Sequence, residues 1–290
     1  MTGTAENGHS HSLNGPEDKK LKKVLSRIYL AFIFILLYAP IAVLIIFSFN
    51  NSRTRAKWGG WTFHWYISMF QDGAIMSALY NTLIIALLSA LISTLLGLLA
   101  SFSLIAMKHK KRTVIMSLLD IPMLNAEIVT GISLMLIFIA VGQFLSKWGY
   151  TIEFGFGTVL IGHITFNLPY TVLLILPKLR QLNVSTYEAA LDLGASRFLA
   201  FRKVILPDIM SGVLAGFMLA FTMSLDDFVI THFTKGPGFD TLSTKIYTEV
   251  RKGIKPEMYA LSTLLFVSIL VLLLIFGRGR GKKTIAVSQV

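Results

Sequence analysis

Long unbroken apolar runs, not alternation, dominate the hydrophobic pattern. They fall at residues 28–49, 75–107, 114–141, 158–177, 207–231 and 258–276. A hydrocarbon core of about 30 Å needs about 20 apolar residues as helix, so the pattern predicts an all-α polytopic membrane protein of about six transmembrane helices. The first run, from Ile28 to Phe49, is uncharged. It is longer than the roughly 7–15 residues of a signal-peptide core and has no small-x-small site after it. It is therefore expected to remain as an uncleaved helix, kinked at Pro40. The second run is over-long and must tilt or begin outside the membrane. Asp120, Pro122, Asn125 and Glu127 interrupt the third, Asn167 and Pro169 lie in the fourth, and the fifth closes on Asp226 and Asp227. The stretch between Pro177 and Pro207 is too polar to span. Residues 1–23 read as a disordered cytoplasmic tail, 24–284 as one transmembrane domain, and 285–290 as a C-terminal tail. The His9-Ser10-His11 pair falls in that first tail, where solvated side chains are expected and not a metal site.

Composition agrees with lipid as the solvent. The 290 residues are 54% hydrophobic and 14% charged, against about 25% charged in a soluble domain. The absence of cysteine excludes disulfides, thiolate metal sites and Cys nucleophiles. The net charge of +12 does not signal nucleic acid, because the bases cluster between apolar runs. The N-terminal tail, the 108–112 loop, the 178–203 loop and the C-terminus (Arg278, Arg280, Lys282, Lys283) hold 18 of the 27 Lys and Arg. The alternate connections hold the other 9, including Lys235, Lys245, Arg251, Lys252 and Lys255 after the fifth run. A two-to-one bias puts both termini in the cytoplasm.

The cytoplasmic loop at 185–206 is the most informative segment. Ser185 followed by Glu188 is the spacing of a capping box. Gly194 is placed to stop the helix in the left-handed conformation. Ser196 is placed to cap a second short helix, with Phe198, Phe201 and Ile205 on one face. Pro207 fits the first turn of the next span. The first short helix displays Tyr187, Ala190 and Leu191 beside Glu188 and Asp192, with no Lys or Arg on its polar face. An anionic leaflet favours bases there, so the surface is expected to meet a protein.

Glu188-Ala189-Ala190, Gly194 and Leu206-Pro207 resemble the EAA loop of inner-membrane components of ABC importers, with Val204 where isoleucine is usual. The resemblance covers about residues 20–280. It implies a coupling helix between the fourth and fifth spans, seated in a cleft of an ATPase subunit and worked by nucleotide-driven closure. It implies a second permease forming a heterodimer, two ATP-binding subunits, and an extracytoplasmic substrate-binding protein at the prokaryotic cell membrane. No Gly-x-x-x-x-Gly-Lys-Ser/Thr loop occurs in the sequence, and neither His-Glu-x-x-His nor Gly-x-Ser-x-Gly does. No catalytic residues, metal or cofactor are expected in the chain itself; ATP is expected on the partner.

A carboxylate at a helix centre costs about 2.5–3.5 kcal/mol on insertion scales, so each acidic residue in a span needs a reason. Counted from Pro207, Asp226 lies about 28 Å along its span, and Glu127 about 20 Å from the cytoplasmic start of its own. Both fall in the outer half, with Asp120 nearer the inside. Asp226 and Asp227 are about 100° apart around a helix. One is free to face a water-filled path while the other caps or pairs locally; the alternative is that they bond to Thr231, Asn167 or a neighbouring subunit. Outer-half acids would attract a positively charged substrate. Ser224-Leu225-Asp226-Asp227-Phe228-Val229-Ile230, Gly236-Pro237-Gly238, Lys245-Ile246-Tyr247, and Glu127-Ile128-Val129 with Gly131-Ile132-Ser133-Leu134 resemble the C-type subunit of spermidine/putrescine permeases. At position 127 that subunit would lead one to expect aspartate. The resemblance implies polyamine import with Glu127, Asp226 and Asp227 on the pathway. Import of an aminophosphonate, iron or a sugar is the alternative, followed by a membrane scaffold. Gly97-x-x-x-Ser101 and Gly212-x-x-x-Gly216 are expected to let helices approach closely. Trp58, Trp61, Trp65 and Tyr66 are expected to form an interfacial aromatic belt.

Overall fold

A computed structural model describes residues 16–52, 57–253 and 255–286. Its helices are α1 (Pro16–Ser48), α2 (His64–Gln71), α3 (Gly73–Ala106), α4 (His109–Leu124), α5 (Glu127–Ser146), α6 (Phe156–Arg180), α7 (Val184–Asp192), α8 (Arg197–Ala200), α9 (Leu206–Asp226), α10 (Val229–Thr234), α11 (Leu242–Lys252) and α12 (Pro256–Ala286). Among the described residues, five helices are long and apolar enough to cross a membrane: Lys22–Ser48, Gly73–Ala106, Glu127–Ser146, Phe156–Arg180 and Arg197–Asp226. Pro256–Val271, within α12, adds a shorter apolar stretch. The all-α polytopic architecture expected from the sequence is the architecture of the protein.

The inner bundle is α3, α6 and α9, packed on small residues. A Cβ on Gly97 would lie 2.3 Å from Thr171 Oγ1, and one on Gly212 would lie 2.9 Å from the Leu174 carbonyl. These glycines therefore join helices of the same chain, where only close backbone approach is possible. Buried hydroxyls and amides add directional bonds across the same faces. Asn167 Nδ2 donates to Ser224 Oγ at 2.8 Å, Ser224 pairs with Ser89 at 2.9 Å, and Thr171 Oγ1 donates to the Ser93 carbonyl at 3.0 Å. A second cluster joins α2, α3, α11 and α12 through Met69, Ile75, Leu242 and Leu261. Asp72 caps α3 there, its Oδ1 accepting from Ala74 N at 2.8 Å.

Several boundaries differ from the hydropathy pattern. Helix α1 begins at Pro16, so residues 16–23, expected in a disordered tail, are helical; the His9–His11 pair lies outside the described residues. Helix α6 continues through Pro177 to Arg180. The third run is two helices, because Asn125 (φ −77, ψ 148) and Ala126 (φ −62, ψ 135) are extended. The fifth run ends at Asp226, where Asp227 (ψ 124) leaves helical geometry before α10 begins. Both breaks fall at polar residues that interrupt or close the apolar runs in the sequence, Asn125 in the third and Asp227 in the fifth. Trp58 and Trp61 are exposed as an interfacial belt requires, but Trp65 is 5% exposed, and its indole N–H donates to the Asn50 carbonyl at 2.8 Å. That tryptophan closes the loop between α1 and α2.

Candidate functional site

Arg197–Asp226 forms one helical rod, since α8 passes into α9 through a π-helical turn at Phe201–Ile205. The second short helix of the 185–206 loop is thus the foot of the fifth span and not a separate piece. Leu206 and Pro207 follow the π-helical turn directly, the Leu206 N–H reaching back to the Phe201 carbonyl. The proline's missing N–H therefore falls inside the rod, where the helix is already wound wider.

Below this foot sits α7. Its cap is Asn183, whose Oδ1 accepts from Ser185 N at 3.1 Å. Ser185 is therefore inside the first turn, and the Ser185–Glu188 capping box expected from the sequence is replaced by a cap two residues earlier. Asn183 is extended (φ −81, ψ 102), as a cap requires. The stop falls where expected: Gly194 has φ +84, its N–H bonds the Leu191 carbonyl at 2.9 Å, and Ala195 N–H bonds that of Ala190 at 3.1 Å. Ser196 Oγ accepts from Leu199 N at 3.3 Å, so the expected cap of the following helix is present.

No residue of α7 is buried. Glu188 and Ala189 are exposed, while Tyr187, Ala190 and Leu191 are half-buried and turned partly toward their own chain. The apolar surface offered outward lies on other residues: Val184 is 62% exposed, Leu193 89% and Phe198 73%. A helix so thinly tied has its apolar edge available to another protein.

At the other end of the rod, α6 runs antiparallel to α9 and α10 in a continuous register. Thr171 faces Gly216, Asn167 meets Ser224, His163 meets Asp227 and Thr231, and Thr158 Oγ1 donates to the Thr234 carbonyl at 2.7 Å. His163 lies seven residues inside the Phe156 end of α6, about 10 Å along the axis. The two aspartates are therefore toward the end of the domain away from α7. Asp226 is exposed. The Asp227 side chain is 5% exposed and accepts from the N–H groups of Ile230 and Thr231 at the start of α10.

Glu127 opens α5 and is exposed. One turn on, a Cβ at Gly131 would lie 2.8 Å from the Phe233 ring and 3.4 Å from the Val229 carbonyl. The first turns of α5 are thereby brought beside the start of α10. Asp120 is apart from them: it lines a cleft between α4 and α6 with Met116, Pro177 and Arg180. Just outside the aspartates, Phe228 and Tyr247 rings meet at 4.6 Å, and the Arg251 guanidinium sits 5.6 Å from the Tyr247 centroid. His163 is the site residue that sequence reasoning missed. It lies in an apolar run with nothing local to mark it, and its partners are on a different helix.

This constellation defines a polytopic membrane transport subunit, with an elbow at one end of a spanning rod and carboxylates at the other. The family described as binding-protein-dependent transport system inner membrane component matches residues 93–279, and the chain belongs to it. The spermidine/putrescine transport system permease protein PotC of Escherichia coli K12 is 37% identical over 246 residues, 85% of this chain and 90% of that protein. The putrescine transport system permease protein PotI of the same strain is 36% identical over 237 residues, 81% and 83% of the two chains. A solved bacterial ABC transporter involved in import of the acidic polysaccharide alginate shares the fold, with a TM-score of 0.71 at 20% identity over 92% of this chain and 98% of that one. The protein is an inner-membrane permease subunit of an ABC importer that works with a substrate-binding protein. It is not an enzyme; ATP hydrolysis belongs to a separate subunit.

Proposed function

We propose that this chain and a second permease of similar fold form the passage of a polyamine importer, with two ATP-binding subunits beneath and the binding protein outside. The observation that carries the cargo assignment is the exposed Asp226 carboxylate in the outer half of the rod, next in the chain to the buried Asp227 and at the end of α9 that leads into α10, beside α5. An uncompensated acid there is costly in lipid and useful to a di- to tetra-cation in a water-filled path. The identity with PotC and PotI, named for spermidine and putrescine, supports the same cargo here. The side of the membrane follows from the two-to-one excess of bases, which supports cytoplasmic termini. On that orientation Glu188, Ala189, Ala190 and Gly194, with Leu206 and Pro207 at the foot of the rod, couple the ATPase to the passage. Closure of the ATPase pair moves α7, and the rod carries that movement toward the aspartates.

The test is uptake of labelled spermidine by vesicles holding the whole complex and its binding protein. Competition by unlabelled putrescine or spermidine, with none by an aminophosphonate, an iron chelate or a sugar, is expected. Competition by one of the latter alone would replace the polyamine with that solute.

A further inference from the structure

Asp226 and Asp227 are adjacent in the chain and differ completely in surroundings. Asp226 is exposed, whereas every oxygen of Asp227 is engaged. Its Oδ1 accepts the Ile230 N–H at 3.1 Å. Its Oδ2 accepts the Thr231 N–H at 2.8 Å and the Thr231 hydroxyl at 2.8 Å, and lies 3.3 Å from Nε2 of His163. The His163 side chain is 2% exposed, and its Nε2 is also 2.9 Å from Thr231 Oγ1. With the Thr231 hydroxyl hydrogen given to Asp227, the ring nitrogen is the donor in both of its contacts, so Nε2 carries hydrogen.

The packing around this group leaves α10 little freedom. A Cβ on Gly162, next to His163, would lie 3.0 Å from Ile230 Cγ2. Thr158 holds the last turn of α10. Gly236, just beyond, runs so close to Phe154 that a Cβ would lie 1.9 Å from its carbonyl oxygen. A buried imidazole in the outer half of a membrane domain needs a polar partner, and here the partner is the carboxylate that starts α10.

We propose that His163, with Thr231, is a positioning residue: it pins Asp227 over the first turn of α10, fixing the α9–α10 break so that Asp226, and not Asp227, presents its carboxylate to the cargo. This rests on the passage proposed above, and it divides the two aspartates into one that holds the break and one that meets the substrate.

The experiment uses the whole complex with its binding protein and labelled spermidine, scoring insertion and assembly for each variant. His163→Ala is expected to lower maximal uptake about tenfold, while His163→Gln, which keeps an N–H donor, stays within about threefold of the natural protein. Because both act through Asp226, His163→Ala combined with Asp226→Asn is expected to be no worse than Asp226→Asn alone. Equal losses in the Ala and Gln variants, or additive losses in the double variant, would overturn the positioning role. Should His163→Ala fail to assemble, Thr231→Val, which removes the hydroxyl contacts at nearly constant volume, makes the same comparison.

A second readout is independent of cargo. The chain has no cysteine, so Asp226→Cys gives a single thiol, and its labelling by a cationic thiol reagent from outside is expected to slow about tenfold when His163 becomes Ala. An unchanged rate would overturn the inference. Normal uptake by Asp226→Asn together with His163-dependent labelling would instead remove the passage proposal and leave the positioning role standing.

Discussion

The two ends of the Arg197–Asp226 rod are built in opposite ways. At the inner end α7 has no buried residue, and Leu193 and Phe198 point apolar surface away from the chain. At the outer end Ile230, Thr231 and Thr234 of α10 are all fully buried, and hydroxyls, an imidazole and close-packed glycines clamp the helix to α5 and α6. An end that completes its own packing is a fixed part of the site. An end that leaves its packing unfinished awaits another molecule. A lever needs that asymmetry: a free handle for the motor and a rigid seat where the load is met.

The comparison breaks most readily at Gly194. Proline cannot adopt φ +84 and lacks the N–H that bonds Leu191, so Gly194→Pro is expected to cut uptake about a hundredfold or more while insertion stays normal. Retained uptake would show that the handle needs no defined stop. At the fixed end, Gly236→Ala must displace the Phe154 backbone and is expected to cost about 3 kcal/mol, at the upper end for overpacking. Thermal unfolding of the purified subunit measures this, and an unshifted midpoint would mean the clamp is loose.

Asp226→Asn is expected to lower spermidine uptake about tenfold, equivalent to about 1.4 kcal/mol of lost attraction. Glu127→Gln, at a break whose N-cap Ala126 offers no side-chain bond, is expected to lose about threefold. The same uptake assay ranks the two, and a reversed order would move the main cargo contact to α5. Smallest in stability is Leu193→Ser. It is expected to leave the subunit within about 0.5 kcal/mol of the natural protein while weakening capture of the ATPase in pull-down. Unchanged capture would show that the exposed edge of α7 is not the handle.

Much of this asymmetry was legible in the residues. Gly194 and Ser196 act where local chemistry put them, because caps and stops depend on a few neighbouring atoms. Asn183 took the role expected of Ser185, since both side chains can cap and the extended backbone at Asn183 decided between them. The apolar runs located the spanning helices, and the polar residues Asn125 and Asp227 marked where two of them break, but not that the backbone there turns extended. Hydropathy averages over a window and does not register one extended residue. The pairing of Asp227 with His163 was invisible for a different reason: it joins α6 to α10 across the packed bundle. Gly97, Gly212 and Gly216 read correctly as packing positions, but their partners on α6 emerged only with the fold.

The central claim is that the α7 elbow is the handle of the rod, and disulfide trapping tests it most directly. In this cysteine-free chain, Leu193→Cys is paired with a single cysteine in the cleft of the ATPase subunit and sampled without nucleotide, with ATP and after hydrolysis. A crosslink that forms throughout the cycle and stops spermidine uptake until reduced is the predicted result. Absence of any crosslink in all three states, in a complex that still transports, would contradict it.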